Sequence, residues 1–351
     1  MRPALWPGMP EPVRRLRRGS RVAIISPSSG LAPLFPKVYE RGLDALRLIG
    51  LDPVEFPTAR MGSDELYGNP RARVADIHAA LADPEIDGLI ATIGGYESVR
   101  LLPLLSTSLF RENPKLILGG SDATTYLLFA RRAGMVSFYG PSVMAGFSQL
   151  DDLPAQFREH LERFLFEEWN RYVYEPAEEY THGYSGWSKD GRGSVQPLKK
   201  TGGPKVLQGA GVTAGHLWGG CIEVLEFLKG TRFWPPNGFF DNACLFFETS
   251  EEKPSADRVG YMLRNYGVAG ILARAAALLV GRPKDYTDAE QEKLEELIVR
   301  IVRDEFGLGS LPVISRVDIG HTDPKWLVPI GCRIEIDVDS PSFTVIDSPF
   351  A

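Results

Sequence analysis

Cysteine is scarce in this chain. Cys221, Cys244 and Cys332 are the only three among 351 residues. They are far apart, odd in number and set in apolar surroundings without CxxC spacing, which gives neither a disulfide framework nor a zinc site. Such usage fits a reducing compartment. Histidine is almost as rare, with five residues, so chemistry that needs an imidazole has few candidates. Long apolar runs are missing: no stretch approaches the roughly 18 residues of a membrane span. The opening stretch MRPALWPGMPEPVRRLRRGS has prolines where a signal peptide needs an apolar core, and its arginines follow the apolar residues instead of preceding them. Excess positive charge is also lacking. The net charge of −6 leaves no footprint for a nucleic-acid polymer, and Arg14, Arg15, Arg17 and Arg18 read as a solvated lead-in to the first strand. Neither of the two common phosphate-binding glycine motifs accompanies the GGYES loop at residues 94–98, which weakens a nucleotide-binding reading built on that loop alone. The expectation is a cytoplasmic protein without membrane or nucleic-acid partners.

What is there reads as an ordinary globular chain, 44% hydrophobic and 24% charged, long enough for about two domains. From Arg21 to about Glu168, short β-rich runs alternate with helical ones: RVAIIS before FPKVYERGLDALRLIG, IDGLIATIGG before ESVRLLPLL, KLILGG before DATTYLLFARRAG. Strands that are apolar nearly throughout imply a parallel sheet covered by helices, with ligands beyond the carboxyl ends of the strands. The loops SPSSG, GGYES and GGSDA leave those ends. Residues 169–205, rich in Gly, Pro, Ser and Tyr, show no sustained period, which suggests a lid over a site. Residues 206–351 read as a second, mixed α/β domain, with ACLFFE and ARAAALLVG as buried strands and GGCIEVLEFLKG, SADRVGYMLRNYG and TDAEQEKLEELIVRIVRDEFG as helices.

The stretch LILGGSDATTYLLF poses the chemical question. Ser121 before a helix suits an N-cap, and Asp122 in the first turn suits the helix dipole. Gly119, Gly120 and Ala123 equally suit a tight strand-to-helix elbow that exposes a nucleophilic Ser121 Oγ. A serine needs a base, and the base an acid. His78 and His160 fall in charged helical runs and read as surface residues, while His182 lies in the lid. His216, before an expected helix, and His321, in DIGHTDPKWLVPIG, both remain open as the base, with a pKa expected near the reference value of about 6.5. Glu248, after five apolar residues in ACLFFE, is a candidate acid. Glu251 and Glu252 read as solvated.

The runs ATIGGYESVRLLP, GGSDAT, LFFETSEEKPSADRVGYMLRNYG and PVISRVDIGHTDPKWLVPIG together resemble the LD-carboxypeptidase family, including its microcin C self-immunity branch, over about residues 20–340. The resemblance implies an α/β fold, with an N-terminal Rossmann-like domain (1–168) related to class I glutamine amidotransferases and a smaller C-terminal α/β domain. It implies a Ser-Glu-His triad of Ser121, Glu248 and His321, with an oxyanion hole made by the backbone N–H groups of Asp122 and Gly95 and with Gly94 beside the substrate. It further implies a homodimeric serine carboxypeptidase without metal or cofactor. The substrate would be a murein peptide cut at an L,D bond or an aminoacyl-nucleotide. In the immunity branch a lid tryptophan stacks on adenine, a role that falls to Trp187. Cys221 stands where relatives usually carry Asn, which puts adenylate recognition in doubt.

Overall fold

The computed structural model describes residues 6–351. Strands such as Gly88–Ala91 (GLIA) and Leu116–Gly119 (LILG) are buried along their whole length. With no solvent face to alternate with, they occupy the interior of a parallel sheet. Across that sheet the order is Val328–Ile330, Ser137–Tyr139, Leu116–Gly119, Gly88–Ala91, Arg21–Ile25 and Asp52–Glu55. All neighbours are parallel except the first pair. The chain direction across the sheet reverses between Arg21–Ile25 and Gly88–Ala91, so the loops after these strands open a crevice there. The loop after Leu116–Gly119 lies alongside it.

The second sheet has eight strands, in the order Lys205–Gln208, Val313–Val317, Ala277–Gly281, Ala243–Glu248, Val212–Cys221, Arg333–Asp337, Ser342–Val345 and Tyr172–Tyr174. Its centre, from Val212–Cys221 to Val313–Val317, is parallel and mostly buried, and its flanks are antiparallel. Helix Ala256–Val268 starts at Ser255, whose side chain accepts from the Arg258 N–H, and helix Asp288–Val299 starts with a Thr287/Glu290 capping box. Both local signals are those expected of helix N-termini.

Three segments differ from the expectation. Residues 169–205 are not without structure. Tyr172–Tyr174 forms the edge of the larger sheet, Glu179–Tyr180 pairs with Lys199–Lys200, and Tyr184–Trp187 forms a hairpin with Arg192–Val195. Strands of two to four residues, one of them paired with a distant partner, leave little periodicity to read. The run WLVPIG, assigned to the second domain, sends Val328–Ile330 across to pair with Ser137–Tyr139 of the first sheet. The helix expected from GGCIEVLEFLKG is only Ile222–Glu226, because Gly219–Cys221 continue the preceding strand.

Candidate active site

The strand Leu116–Gly119 ends at Gly120, and the next three residues form a tight 3₁₀ turn before helix Thr124–Ala133. The capping reading of Ser121 fails on this geometry, since the helix N-cap position is Ala123 and no side-chain cap bond is made there. Ser121 instead holds φ at +56°, a left-handed conformation unfavourable for a residue with a Cβ. The surroundings hold it there. A Cβ on Gly119 would come within 2.8 Å of Ala123 Cβ, and one on Gly94 within 2.7 Å of Ser121 Cβ. Small residues are therefore a steric condition of the elbow. Gly94 faces both the Ser121 side chain and the Asp122 nitrogen, and Gly95 packs on Ser29. Gly94, Gly95 and Ser121 border the same cavity. The Asp122 carboxylate has a different use from the one read in the sequence. It is fully buried and accepts from Ser28 Oγ at 2.7 Å, Ser98 N at 2.9 Å and Glu97 N at 3.1 Å. It ties the three crevice loops together, and burial raises its pKa against those hydrogen bonds.

The candidate acid comes from the second sheet and the candidate base from the loop after its strand Val313–Val317. Glu248 ends strand Ala243–Glu248 with 1% of its surface exposed, and its Oε2 lies 2.7 Å from His321 Nδ1. The space for that carboxylate comes from Gly320, whose φ is +109° and whose Cβ would fall 2.5 Å from Glu248 Oε2. Tyr139, in the first sheet, joins the two halves: its hydroxyl accepts the Ser121 N–H at 2.9 Å and donates to Glu248 Oε1. Reading the sequence missed this residue, because a Tyr at the end of the short run Ser137–Tyr139 looks like one more strand position. Glu251 was missed too. Read as solvated, it places Oε2 2.9 Å from His321 Nε2. Among the described residues no hydrogen bond joins Ser121 Oγ to that nitrogen. Burial alone would lower the His321 pKa, but the charges and hydrogen bonds of Glu248 and Glu251 outweigh it and carry the value up to about 10, above the expected 6.5. The hydrogen bond from His321 in turn lowers Glu251 to about 2.

The other histidines are placed away from this arrangement. His216 lies within strand Val212–Cys221, not before a helix, and burial lowers its pKa to about 4. His160 is no surface residue, since Nδ1 meets Tyr172 Oη at 2.7 Å and Nε2 accepts the Leu327 N–H at 2.9 Å. His78 is half-buried and accepts the Ser106 N–H, and His182 accepts that of Asp285. Among the described residues, no group of three His, Cys, Asp or Glu side chains is arranged to hold a metal.

Residues 22–140 match the LD-carboxypeptidase N-terminal domain and residues 214–336 the LD-carboxypeptidase C-terminal domain. The chain belongs to the LD-carboxypeptidase family, a family of peptidases. Within it, the chain is 31% identical to a candidate carboxypeptidase of Streptomyces coelicolor over 341 residues, covering 95% of this chain and 96% of that one. It is 24% identical to the microcin C7 self-immunity protein of Escherichia coli, covering 94% of each. A crystal structure of an MccF-like protein from Streptococcus pneumoniae in complex with AMP superposes with a TM-score of 0.83 at 26% identity, covering 93% of this chain and 98% of that one.

In this member of the family the elbow stands between two cavities. The larger, of about 500 Å³, runs from Ser121 and His321 to Tyr184 and Trp187, with Lys284 and Lys325 on its wall. The Trp187 ring is stacked on Tyr184 at 4.4 Å and tilted against Phe35. The segment leading into the Tyr184–Trp187 hairpin is moored beside the His321 loop by the Thr181–Asp323 backbone pair. The smaller cavity, about 270 Å³, lies on the other side of Ser121 and is lined by Cys221, Glu223, Phe227 and Arg258 among others. The Cys221 N–H donates to Thr124 Oγ1, which donates to the Ser121 carbonyl. Burial pushes the Cys221 thiol pKa up, so it lines the cavity as a neutral, weakly polar group.

Proposed function

We propose that the chain is a serine carboxypeptidase that hydrolyses the amide bond of an aminoacyl-nucleotide. Ser121 Oγ attacks the carbonyl and His321 Nε2 takes its proton. Glu248 orients the ring through Nδ1 and balances the imidazolium, while the N–H groups of Asp122 and Gly95 receive the developing oxyanion. His321 then protonates the leaving nitrogen and activates water to release the acyl group. The observation that carries this reading is the common opening of Ser121, with its positive φ, and the Glu248–His321 pair onto a cavity of about 500 Å³. The aromatic wall of Tyr184 and Trp187 supports a nucleotide as the leaving side, because a base gains about 1–3 kcal/mol from one aromatic face. The AMP held by the pneumococcal relative supports the same choice. A murein peptide offers no ring to that wall.

The test is hydrolysis of an alanyl sulfamoyl adenosine beside an L,D-tetrapeptide, by the wild type and by Ser121→Ala. The expected result is cleavage of the adenosine compound, with kcat lowered in Ser121→Ala by on the order of 10⁶-fold, as in a comparable serine protease. Cleavage of the tetrapeptide alone would return the site to murein chemistry. Equal rates in wild type and variant would remove Ser121 as nucleophile.

A further inference from the structure

Glu251 has no part in the reaction just described, yet it sits on the base. Its Oε2 is 2.9 Å from His321 Nε2, the nitrogen that must be free to accept the Ser121 proton. With Glu248 on Nδ1 and Glu251 on Nε2, the ring carries a proton on each nitrogen and cannot accept another. Glu251 is not locked in place: its side chain keeps 43% of its surface exposed, and it stands on the turn that follows strand Ala243–Glu248. It also borders both cavities, as Ser121 does. The other charged groups around the ring are already paired, Lys284 with Asp285 and Lys325 with Asp323. Tyr96 and Tyr184 line the same space as neutral hydroxyls. On the wall of the larger cavity both lysines are thus engaged, and a further cation, Arg258, lines the smaller cavity on the other side of Ser121; a ligand cation in the larger cavity is therefore a new partner for a carboxylate that gives up the imidazolium.

We propose that Glu251 is a latch on His321, and that the substrate releases it with an ammonium group on the carbon next to the scissile carbonyl. The site thereby selects acyl groups with a free α-amino group. This deepens the function proposed above and rests on it. The ammonium replaces the imidazolium as the partner of Glu251. His321 then loses its Nε2 proton to water and keeps the Nδ1 proton on Glu248, and Nε2 becomes an acceptor for the Ser121 hydroxyl. Charge balances, since Glu251 keeps one cation and the released proton passes to solvent.

The experiment compares alanyl sulfamoyl adenosine with its N-acetyl derivative, in the wild type and in Glu251→Gln. In parallel, His321 is titrated by NMR in the free proteins, its signal assigned as the one lost in His321→Gln. An opposite charge this close shifts a pKa by about 1–3 units, so its removal raises the neutral fraction of His321 at pH 7 by about 10- to 500-fold. The wild type is expected to favour the free amine by at least about tenfold in kcat/KM, by the same shift. Glu251→Gln is expected to bring that ratio near one by gaining on the N-acetyl compound, with the His321 titration moved to lower pH. An unchanged ratio, or a His321 titration that does not move, overturns the proposal. A wild type that cleaves neither compound refutes the function proposed above, while the titration still decides whether Glu251 holds the base.

Discussion

Tyr139→Phe is the sharpest perturbation of the joint between the two sheets. It deletes one oxygen that serves two partners, the Ser121 N–H at 2.9 Å and Glu248 Oε1. Tyr139 and Glu248 are each 1% exposed, so water does not readily replace it. A hydrogen bond to a charged group is worth about 1.5–3 kcal/mol, and a buried N–H left without a partner costs about 1–3 kcal/mol. Ser121 is half-buried and borders a cavity that admits water, which places its share at the low end. A loss of about 3 kcal/mol in unfolding free energy follows. The elbow also loses a brace against relaxation of its positive φ. A shift of the nucleophile by about 1 Å costs on the order of 10²-fold in rate, so kcat should fall by about that factor with KM little changed. Urea unfolding of the variant gives the first number and steady-state kinetics the second. A stability change under about 0.5 kcal/mol, the level of an ordinary surface substitution, together with wild-type kcat, would refute the claim that Tyr139 holds the elbow and the acid in register.

Gly320→Ala should misplace the acid and base, since the added Cβ meets Glu248 Oε2 at 2.5 Å and φ is +109°; a folded variant with wild-type kcat would show that the contact is relieved without cost. Trp187→Ala should raise KM for the adenosine compound by roughly 5- to 150-fold, the equivalent of about 1–3 kcal/mol, and equal losses in kcat for all substrates would make Trp187 part of a gate instead. The raised His321 pKa has two consequences with a definite sign. Because the base works only when neutral, kcat/KM of the free enzyme should still be climbing above pH 7, and a plateau reached near pH 6.5 would contradict it. Because the folded value of about 10 lies above the unfolded one, the pairing contributes stability that is fully present below about pH 6.5 and is lost as pH rises toward 10. The Tm difference between wild type and His321→Gln, followed from pH 6 to 10, should shrink accordingly.

The lessons of reading the chain lie in particular residues. The buried strands and their helices were legible because a run such as LILG followed by small residues and an amphipathic run has one common use, a strand inside a parallel sheet. The hairpin Tyr184–Trp187 with Arg192–Val195 was not legible, because its strands are only four residues long and their faces carry mixed residues. Glu251 was misread for a reason of the same kind. Glu251 and Glu252 are adjacent acidic residues in a turn, and nothing local distinguishes the one that meets a histidine seventy residues later.

By itself the sequence determined the α/β class, the first sheet's strand-to-helix rhythm and the steric permission for an elbow at Gly119–Ala123. These are local properties: burial on both faces requires apolar strands, and a tight turn requires small neighbours. Only the tertiary structure decided that Ser121 does not cap its helix, that His216 stands apart while His321 meets Glu248, and that Tyr139 couples the two sheets. It alone showed Val328–Ile330 crossing into the first sheet and Glu251 lying on Nε2. Each of these is a contact between residues far apart in the chain, set by how two sheets pack and by where close glycine contacts let side chains approach. A one-dimensional pattern carries the preference of each segment for its own conformation, but not the register in which distant segments meet.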